Sequence, residues 1–326
     1  MDPFSAHAFD YIACMQPIVT VILAVFNGED YLEEAIDSVQ RQTLRDWRLT
    51  VVDDGSTDGT HNIAARRAAE DERISVIRQS SAGVAAARNN AIGAATTRWV
   101  ALLDHDDVYL PTKLEKQMRF LDVHPELGIL GTWGHRIGSR GRILGTFDVG
   151  PTSPEHFARM RADDRLIYML AASVVFDRDV ALALGGFRPE PGGDVDLWNR
   201  IADTHAIQTL PERLVLYRVH GASISANKLH VQRLNSERLA LNNRHRRAGR
   251  REVTFEEFQA AWERQPEAAK RAAHRTTRSL ALYRVGGGML ADRNPLGLWY
   301  MLRSAWLRPA LIANRVVRQL GLQRPA

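Results

Sequence analysis

Three apolar runs in this 326-residue chain end in polar clusters, and the residue types in those clusters suit a cation and a phosphate. The first run ends in Phe26-Asn27-Gly28, the second in Asp53-Asp54-Gly55-Ser56, and a later one in Asp104-His105-Asp106-Asp107. Carboxylates crowded together repel one another unless a cation or hydrogen-bond donors compensate them. Asp106, with Asp104 nearby, is therefore a candidate ligand for Mg²⁺ or Mn²⁺, hard ions that prefer oxygen and commonly bridge carboxylates to a diphosphate. A single Asp-Gly-Ser is more often a turn or a helix cap, but three such strand ends together favour a site. Other chemistries lack their motifs. Phe26-Asn27-Gly28-Glu29-Asp30 is not the Gly-x-Gly-x-x-Gly of a dinucleotide site, no loop ends in Gly-Lys-Ser or Gly-Lys-Thr, and no serine sits in a Gly-x-Ser-x-Gly elbow.

The elements around these clusters alternate. Ile18 to Phe26 is an almost unbroken, β-branched apolar run, the pattern of a strand buried on both faces of a parallel sheet. A helix is expected over Glu29 to Gln42, where Leu32, Ala35, Ile36 and Val39 recur at helical spacing and Asn27 or Asp30 can cap. The unit repeats: strands at Leu49 to Asp53, Ile74 to Ile77 and Trp99 to Asp104, helices at Thr60 to Glu70 and Val84 to Ala95. Such alternation specifies a doubly wound α/β sheet, in which ligands lie outside the carboxyl ends of the strands.

Beyond Asp104, Pro111 and Thr112 open a helix, with Glu115 placed to complete a capping box and an end near His124-Pro125. Short strands follow at Ile129 to Trp133, Ile143 to Phe147, Ala172 to Phe176 and Leu214 to Val219, with a helix over Val195 to Ala202, which is the pattern of a mixed sheet. From about Asn227 the composition is helical and arginine-rich, with a second capping-box signature at Thr254 to Glu257. The expected division is an N-terminal arm (1–16), an α/β domain (17–226) split into a nucleotide-binding half (17–110) and an acceptor half (111–226), and a basic helical extension (227–326).

Over Pro17 to Asn227 the chain resembles glycosyltransferase family 2, through VTVILAVFNGEDYLEEAIDSVQRQT followed by VVDDGSTDGT, then GVAAARNNAIGAATTRWVALLDHDD, SVVFDRDVALALGGFRPEPGGDVDLWNRIA and YRVHGASIS. The resemblance implies the GT-A fold, a Rossmann-like nucleotide-binding core with a mixed central sheet. It implies nucleotide contacts for Phe26, Asn27, Glu29, Asp54 and Arg88, with Phe26 standing where Tyr is frequent and keeping only a stacking role. Asp104-His105-Asp106 stands as the family's Asp-x-Asp motif, Asp106 as metal ligand and Asp104 as a ribose or metal contact. The family's catalytic base is the Asp of a Glu-Asp pair opening a helix. Here the pair reads Gly193-Asp194, so the base is retained as Asp194 and the preceding Glu is missing; Asp196 is the weaker rival. His220 matches the residue that reaches the metal or diphosphate.

The implied activity is inverting transfer of a sugar from a nucleotide diphosphate, UDP being the family's commonest carrier, to a carbohydrate or lipid-linked acceptor in cell-surface polysaccharide assembly. Asp194 would deprotonate the acceptor hydroxyl, and Mn²⁺ or Mg²⁺ would stabilise the departing diphosphate. Two other classes stay in view: a non-catalytic nucleotide-sugar binder, for which loss of Asp194, Asp106 or His220 would be the sign, and a sugar nucleotidyltransferase, which should carry a glycine-rich basic loop where Phe26 to Tyr31 is acidic.

Composition sets the remaining bounds. Cys14 is the sole cysteine, which rules out an internal disulfide and suits a cytoplasmic, reducing setting. Residues 1–16 lack the basic start and apolar stretch of a secretory signal, and Leu166 to Phe176 is the longest uncharged apolar run, well short of a membrane span. The net charge of +5 divides unevenly, with +13 from Lys228 onward and −8 before it. The basic part is either a solvated surface or a phosphate- or lipid-facing one, and it carries no nucleic-acid-binding motif. Between Leu298 and Leu320, apolar residues and Trp306 fall on one helical side and arginines on another, so this segment either packs on the core or lies on an anionic membrane.

Overall fold

The computed structural model describes residues 18–219, 229–291, 294–310 and 312–313. Four parallel strands form one half of the sheet: β1 (Val19–Val25), β2 (Trp47–Asp53), β3 (Ile74–Arg78) and β4 (Trp99–Asp104), in spatial order β3-β2-β1-β4. Helices α1 (Leu32–Gln40), α2 (Thr60–Glu70) and α3 (Val84–Ala94) connect them. Inward positions of β1 alternate as a strand requires. Val19, Val21, Leu23 and Val25 join one apolar cluster with Leu32, Ile36 and Trp47, while Ile22 joins the other with Ala87, Ala91 and Ile92. Alanines on the buried side of α3 are small enough for that helix to lie close to the sheet.

The second half is mixed. β5 (Val108–Tyr109), α4 (Lys113–Val123), β6 (Leu127–Ile137), β7 (Ile143–Phe147), α5 (Pro154–Ala162), β8 (Val175–Asp177), α6 (Arg178–Ala183), α7 (Gly193–Ile201) and β9 (Ala206–Arg218) follow in chain order. β8 lies antiparallel to β4 and to β6, β9 runs parallel to β6, and β5 and β7 pair antiparallel with β9 and β6. The sheet therefore continues β4-β8-β6-β9-β5. Under β6, the α4 residues Lys113 and Gln117 are fully buried. Gln117 donates to the carbonyls of Leu130 and Ser173, and its own carbonyl accepts from Lys113, whose amine burial pushes well below its ordinary range.

Several local expectations change. Tyr31, not Asn27 or Asp30, stands at the start of α1, and Asn27 turns instead toward the loop after β2. Thr112 makes no capping bond, and the Glu115 carboxylate accepts from the Thr43 hydroxyl in the loop after α1 instead of closing a capping box. Two unforeseen helices carry clear caps: Ser153 before Pro154 in α5, and Asp177, which accepts from the amides of Asp179 and Val180, in α6.

After β9 come α8 (Leu229–Arg247), α9 (Phe255–Glu263), α10 (Glu267–Ala291) and α11 (Leu296–Leu307). Thr254 and Glu257 form the capping box at α9. α8 is integral to the α/β body, with Leu234, Asn235, Arg238, Leu239, Asn242 and Asn243 buried. α10 and α11 form a hairpin in which Gly286 and Gly297 lie against each other; a Cβ at Gly297 would lie 2.6 Å from the Gly286 carbonyl oxygen.

Candidate active site

The register fixes where the polar clusters meet. Val25 of β1 is level with Asp53 of β2, and Ala24 with Asp104 of β4, so all three clusters gather at one edge, where the strand order reverses about β1. Asn27 leaves the sheet with a left-handed backbone (φ 50°), a conformation Asn tolerates better than most residues. Its amide donates to the Ser56 hydroxyl at 3.0 Å, and its side-chain oxygen accepts the Thr57 amide at 2.9 Å. Glu29 accepts the Gly59 amide at 2.6 Å, and the Glu29 amide reaches Asp58 at 3.3 Å. Both residues thus lash the turn after β1 to the turn after β2. Phe26 is half exposed at the mouth of this edge.

Asp53 and Asp54 are both buried and divide the second turn between them. Asp53 accepts the Ser56 amide at 2.8 Å and faces His61 and Arg78. Asp54 accepts from Gln79 and from the amides of Ala82 and Gly83 at 2.8–2.9 Å, closing the loop that leads into α3. That loop ends at Gly83, whose φ of 91° suits glycine.

α3 then projects Arg88 to Asp104, with Nη2 to Oδ1 at 2.6 Å, and the guanidinium lies 5.2 Å from the centre of the Phe187 ring. Phe187 is held by Asn89 of the same helix, which donates to its carbonyl and accepts from its amide. Asp194 sits in the first turn of α7. Burial pushes its carboxyl above the ordinary range, the positive charge of Arg88 opposes this, and Asp104 adds to the rise. Asp196 is spent elsewhere. It is fully buried, binds Arg200 at 2.8 Å and faces Arg188 at 3.6 Å, while Arg200 also donates to the carbonyls of Leu184 and Gly186. Trp198 is a core residue packed on Phe176 and Phe187.

At the Asp104-His105-Asp106-Asp107 turn, His105 packs against Gly28, where a Cβ would come within 2.4 Å of the imidazole. Asp107 accepts the Arg218 amide at 2.8 Å; its other oxygen is buried with no hydrogen-bond partner among the described residues. Burial, then the charges of Asp104 and Asp106, push its carboxyl well up. Arg218, at the end of β9, is the residue sequence reasoning passed over. Almost fully buried, it donates to the Asp106 carbonyl at 2.8 Å, the Ser139 carbonyl at 3.1 Å and Glu34 at 2.6 Å, and stacks on Tyr31. Its signal in the sequence is its place in Tyr217-Arg218-Val219-His220, two residues before the motif histidine. His220 itself lies outside the described residues.

Among the described residues no group of three His, Cys, Asp or Glu side chains forms a ready metal cage. The donor set does fit a hard divalent ion held partly by diphosphate and water. Three carboxylates stand in one turn, all of them oxygen ligands, and one buried Asp107 oxygen has no hydrogen-bond partner among the described residues.

The glycosyl transferase family 2 profile matches residues 20–179. The chain is 43% identical over 107 residues to TuaG of Bacillus subtilis (strain 168), a protein named as a teichuronic acid biosynthesis glycosyltransferase; the match spans 32% of this chain and 42% of TuaG. Among solved structures, S. aureus TarS in complex with UDP-GlcNAc superimposes with a TM-score of 0.55 at 16% identity, covering 93% of this chain and 92% of that one. The mannosyltransferase PcManGT from Pyrobaculum calidifontis, in complex with GDP-Man and Mn²⁺, gives 0.54 at 20% identity, covering 95% and 82%. Identities this low speak to the fold alone, and the fold is the mixed GT-A sheet. By the profile match over residues 20–179 and the sequence relatives, the chain belongs to glycosyltransferase family 2.

Proposed function

We propose that the protein is an inverting glycosyltransferase that moves a sugar from a nucleotide diphosphate, UDP first among the candidates, to a carbohydrate or lipid-linked acceptor in cell-surface polysaccharide assembly on the cytoplasmic side of the membrane. Residues 17–110 would bind the nucleotide, 111–226 the acceptor, and 227–326 would support them. The observation that carries this reading is the meeting of Arg88, Asp104 and Asp194 at the sheet edge, where the half-buried Asp194 carboxylate, its pKa raised, lies in the fields of Arg88 and Asp104. The names of relatives point the same way: TuaG is assigned to teichuronic acid biosynthesis, TarS was captured with UDP-GlcNAc, and PcManGT with GDP-Man and Mn²⁺.

In this reading Phe26 offers its exposed ring to the base, and Asn27, Glu29 and Asp54 hold the two turns that shape the nucleotide pocket. Arg88 orients Asp104 toward the ribose. Asp106, with His220, would hold Mn²⁺ or Mg²⁺, which when bound supplies positive charge against the diphosphate. Asp194 accepts the proton of the acceptor hydroxyl as that oxygen bonds to the anomeric carbon and the nucleoside diphosphate departs from the opposite face with its electron pair. A carboxylate raised by burial is a better base than a solvated one, and the positive charge of Arg88 favours its ionised form. Calorimetric titration with UDP, GDP and TDP, each with and without Mn²⁺, tests the donor site. Metal-dependent binding of one nucleotide is expected, and no binding of any would contradict the proposal.

A further inference from the structure

The α10–α11 hairpin has one packed face and one bare face. α11 meets α10 through small residues: Gly297 against Gly286, and Ser304 against Ser279, whose hydroxyls exchange bonds with each other's carbonyls at 2.6 and 2.9 Å. On the far side of α11, Leu298, Trp299, Leu302 and Trp306 fall within about 100° of arc. They are 57%, 50%, 62% and 83% exposed, in a protein that buries Trp47 and Trp198 completely. Arg303 flanks this ridge with its guanidinium 4.6 Å from the Trp299 ring centre. From Glu267 to the end of the chain there are eleven Lys and Arg against two acids, Glu267 and Asp292. Arg275, Arg278, Arg303 and Arg308 have no carboxylate partner among the described residues.

We propose that this ridge is a membrane-docking surface for an anionic phospholipid bilayer, on which α11 lies in the interfacial plane with its leucines and tryptophans inserted and its arginines at headgroup level. The charge decides between occupants. A second copy laid on the same ridge would bring a second set of unpaired arginines against the first, whereas anionic headgroups neutralise them. No helix among the described residues is long and apolar enough to cross a membrane. The inference deepens the proposed acceptor reading and rests on it for its purpose only: a membrane-lying enzyme meets a lipid-linked acceptor in two dimensions.

The test is flotation of the full chain with vesicles of phosphatidylcholine alone or with phosphatidylglycerol added, beside the variant carrying Trp299→Ala, Leu302→Ala and Trp306→Ala. The parent is expected to float with the anionic vesicles, at least tenfold less with the zwitterionic ones, and the variant to lose binding to anionic vesicles at least tenfold. Tryptophan quenching by brominated lipid in the unaltered chain is expected as well and does not depend on how the variant folds. Equal flotation of variant and parent, no flotation of the parent, or a dimer of the parent that the variant dissolves without any vesicle binding would each overturn the proposal. None of these measurements involves donor or transfer, so failure here leaves the glycosyltransferase reading standing, and failure of nucleotide binding leaves this one.

Discussion

Asp194 and Asp196 stand two residues apart at the start of one helix, and their surroundings separate them. Asp196 is neutralised by Arg200 and Arg188 inside the protein, where breaking the pair would leave a buried charge. Asp194 lies in the fields of Arg88 and Asp104, its pKa raised by burial and opposed by Arg88. The sign of its pH dependence follows. A base works only when ionised, so kcat/KM should fall as pH drops through the raised pKa of Asp194, giving an acidic limb above the ordinary carboxylate range. Replacing Arg88 by Met removes the cation that opposes burial, while Asp104 remains, so the limb should move to higher pH. A pH–rate profile of Arg88→Met with its limb unmoved would separate Asp194 from the chemistry. At this scale Asp53 and Asp104 are legible because each ends an apolar strand, and Asp194 through the resemblance alone; Arg218 is not, because its anchors are as far away in sequence as Glu34 and Ser139.

At the scale of elements, the segment from Arg188 to Asp194 is fastened from outside by the extension. Asn235 of α8 donates to the Pro191 carbonyl, Arg238 binds Glu190 at 2.8 Å, Glu252 pairs with Arg188, and Asn243 donates to Asn199 of α7 at 2.9 Å. The missing acid of the family's Glu-Asp pair has a local reason. A Cβ at Gly193 would lie 2.7 Å from the Arg188 carbonyl oxygen, and at Gly192, with φ 70°, it would meet the Asn235 amide. Gly193→Ala should therefore cost about 1–2 kcal/mol, against the usual gain from Ala in a helix, and should lower turnover by displacing Asp194. Urea unfolding checks the sign, and a stabilised variant would contradict the packing. Glycine at 193 was plain in the sequence, but the carbonyl that crowds it comes from a loop whose path the sequence pattern does not specify. The first parallel strands were legible because strands buried on both faces read as apolar runs; α5 and α6 were missed because short capped helices carry little periodicity.

Across the whole molecule, the charge asymmetry has a partly internal explanation. Arginines of α8 reach back to acids of the α/β body: Arg238 to Glu190, Arg246 to Asp203 at 2.6 Å, and Arg247 to Asp164. The acidic body and basic extension therefore complement each other as far as α8, and unpaired positive charge gathers in the α10–α11 hairpin. Composition revealed the imbalance, whereas only the fold separates arginines that hold the body together from those that face outward. The central claim, that the sheet edge is a transferase site with Asp194 as its base, is tested most directly by Asp194→Asn, an isosteric change that leaves α7 in place. Transfer and donor binding should be measured on the same preparation. Transfer is expected to fall by at least a thousandfold, the upper range for loss of a general base, with nucleotide affinity within about threefold of the parent, less than the tenfold that 1.4 kcal/mol would bring. Near-normal turnover by the Asn variant would contradict the assignment.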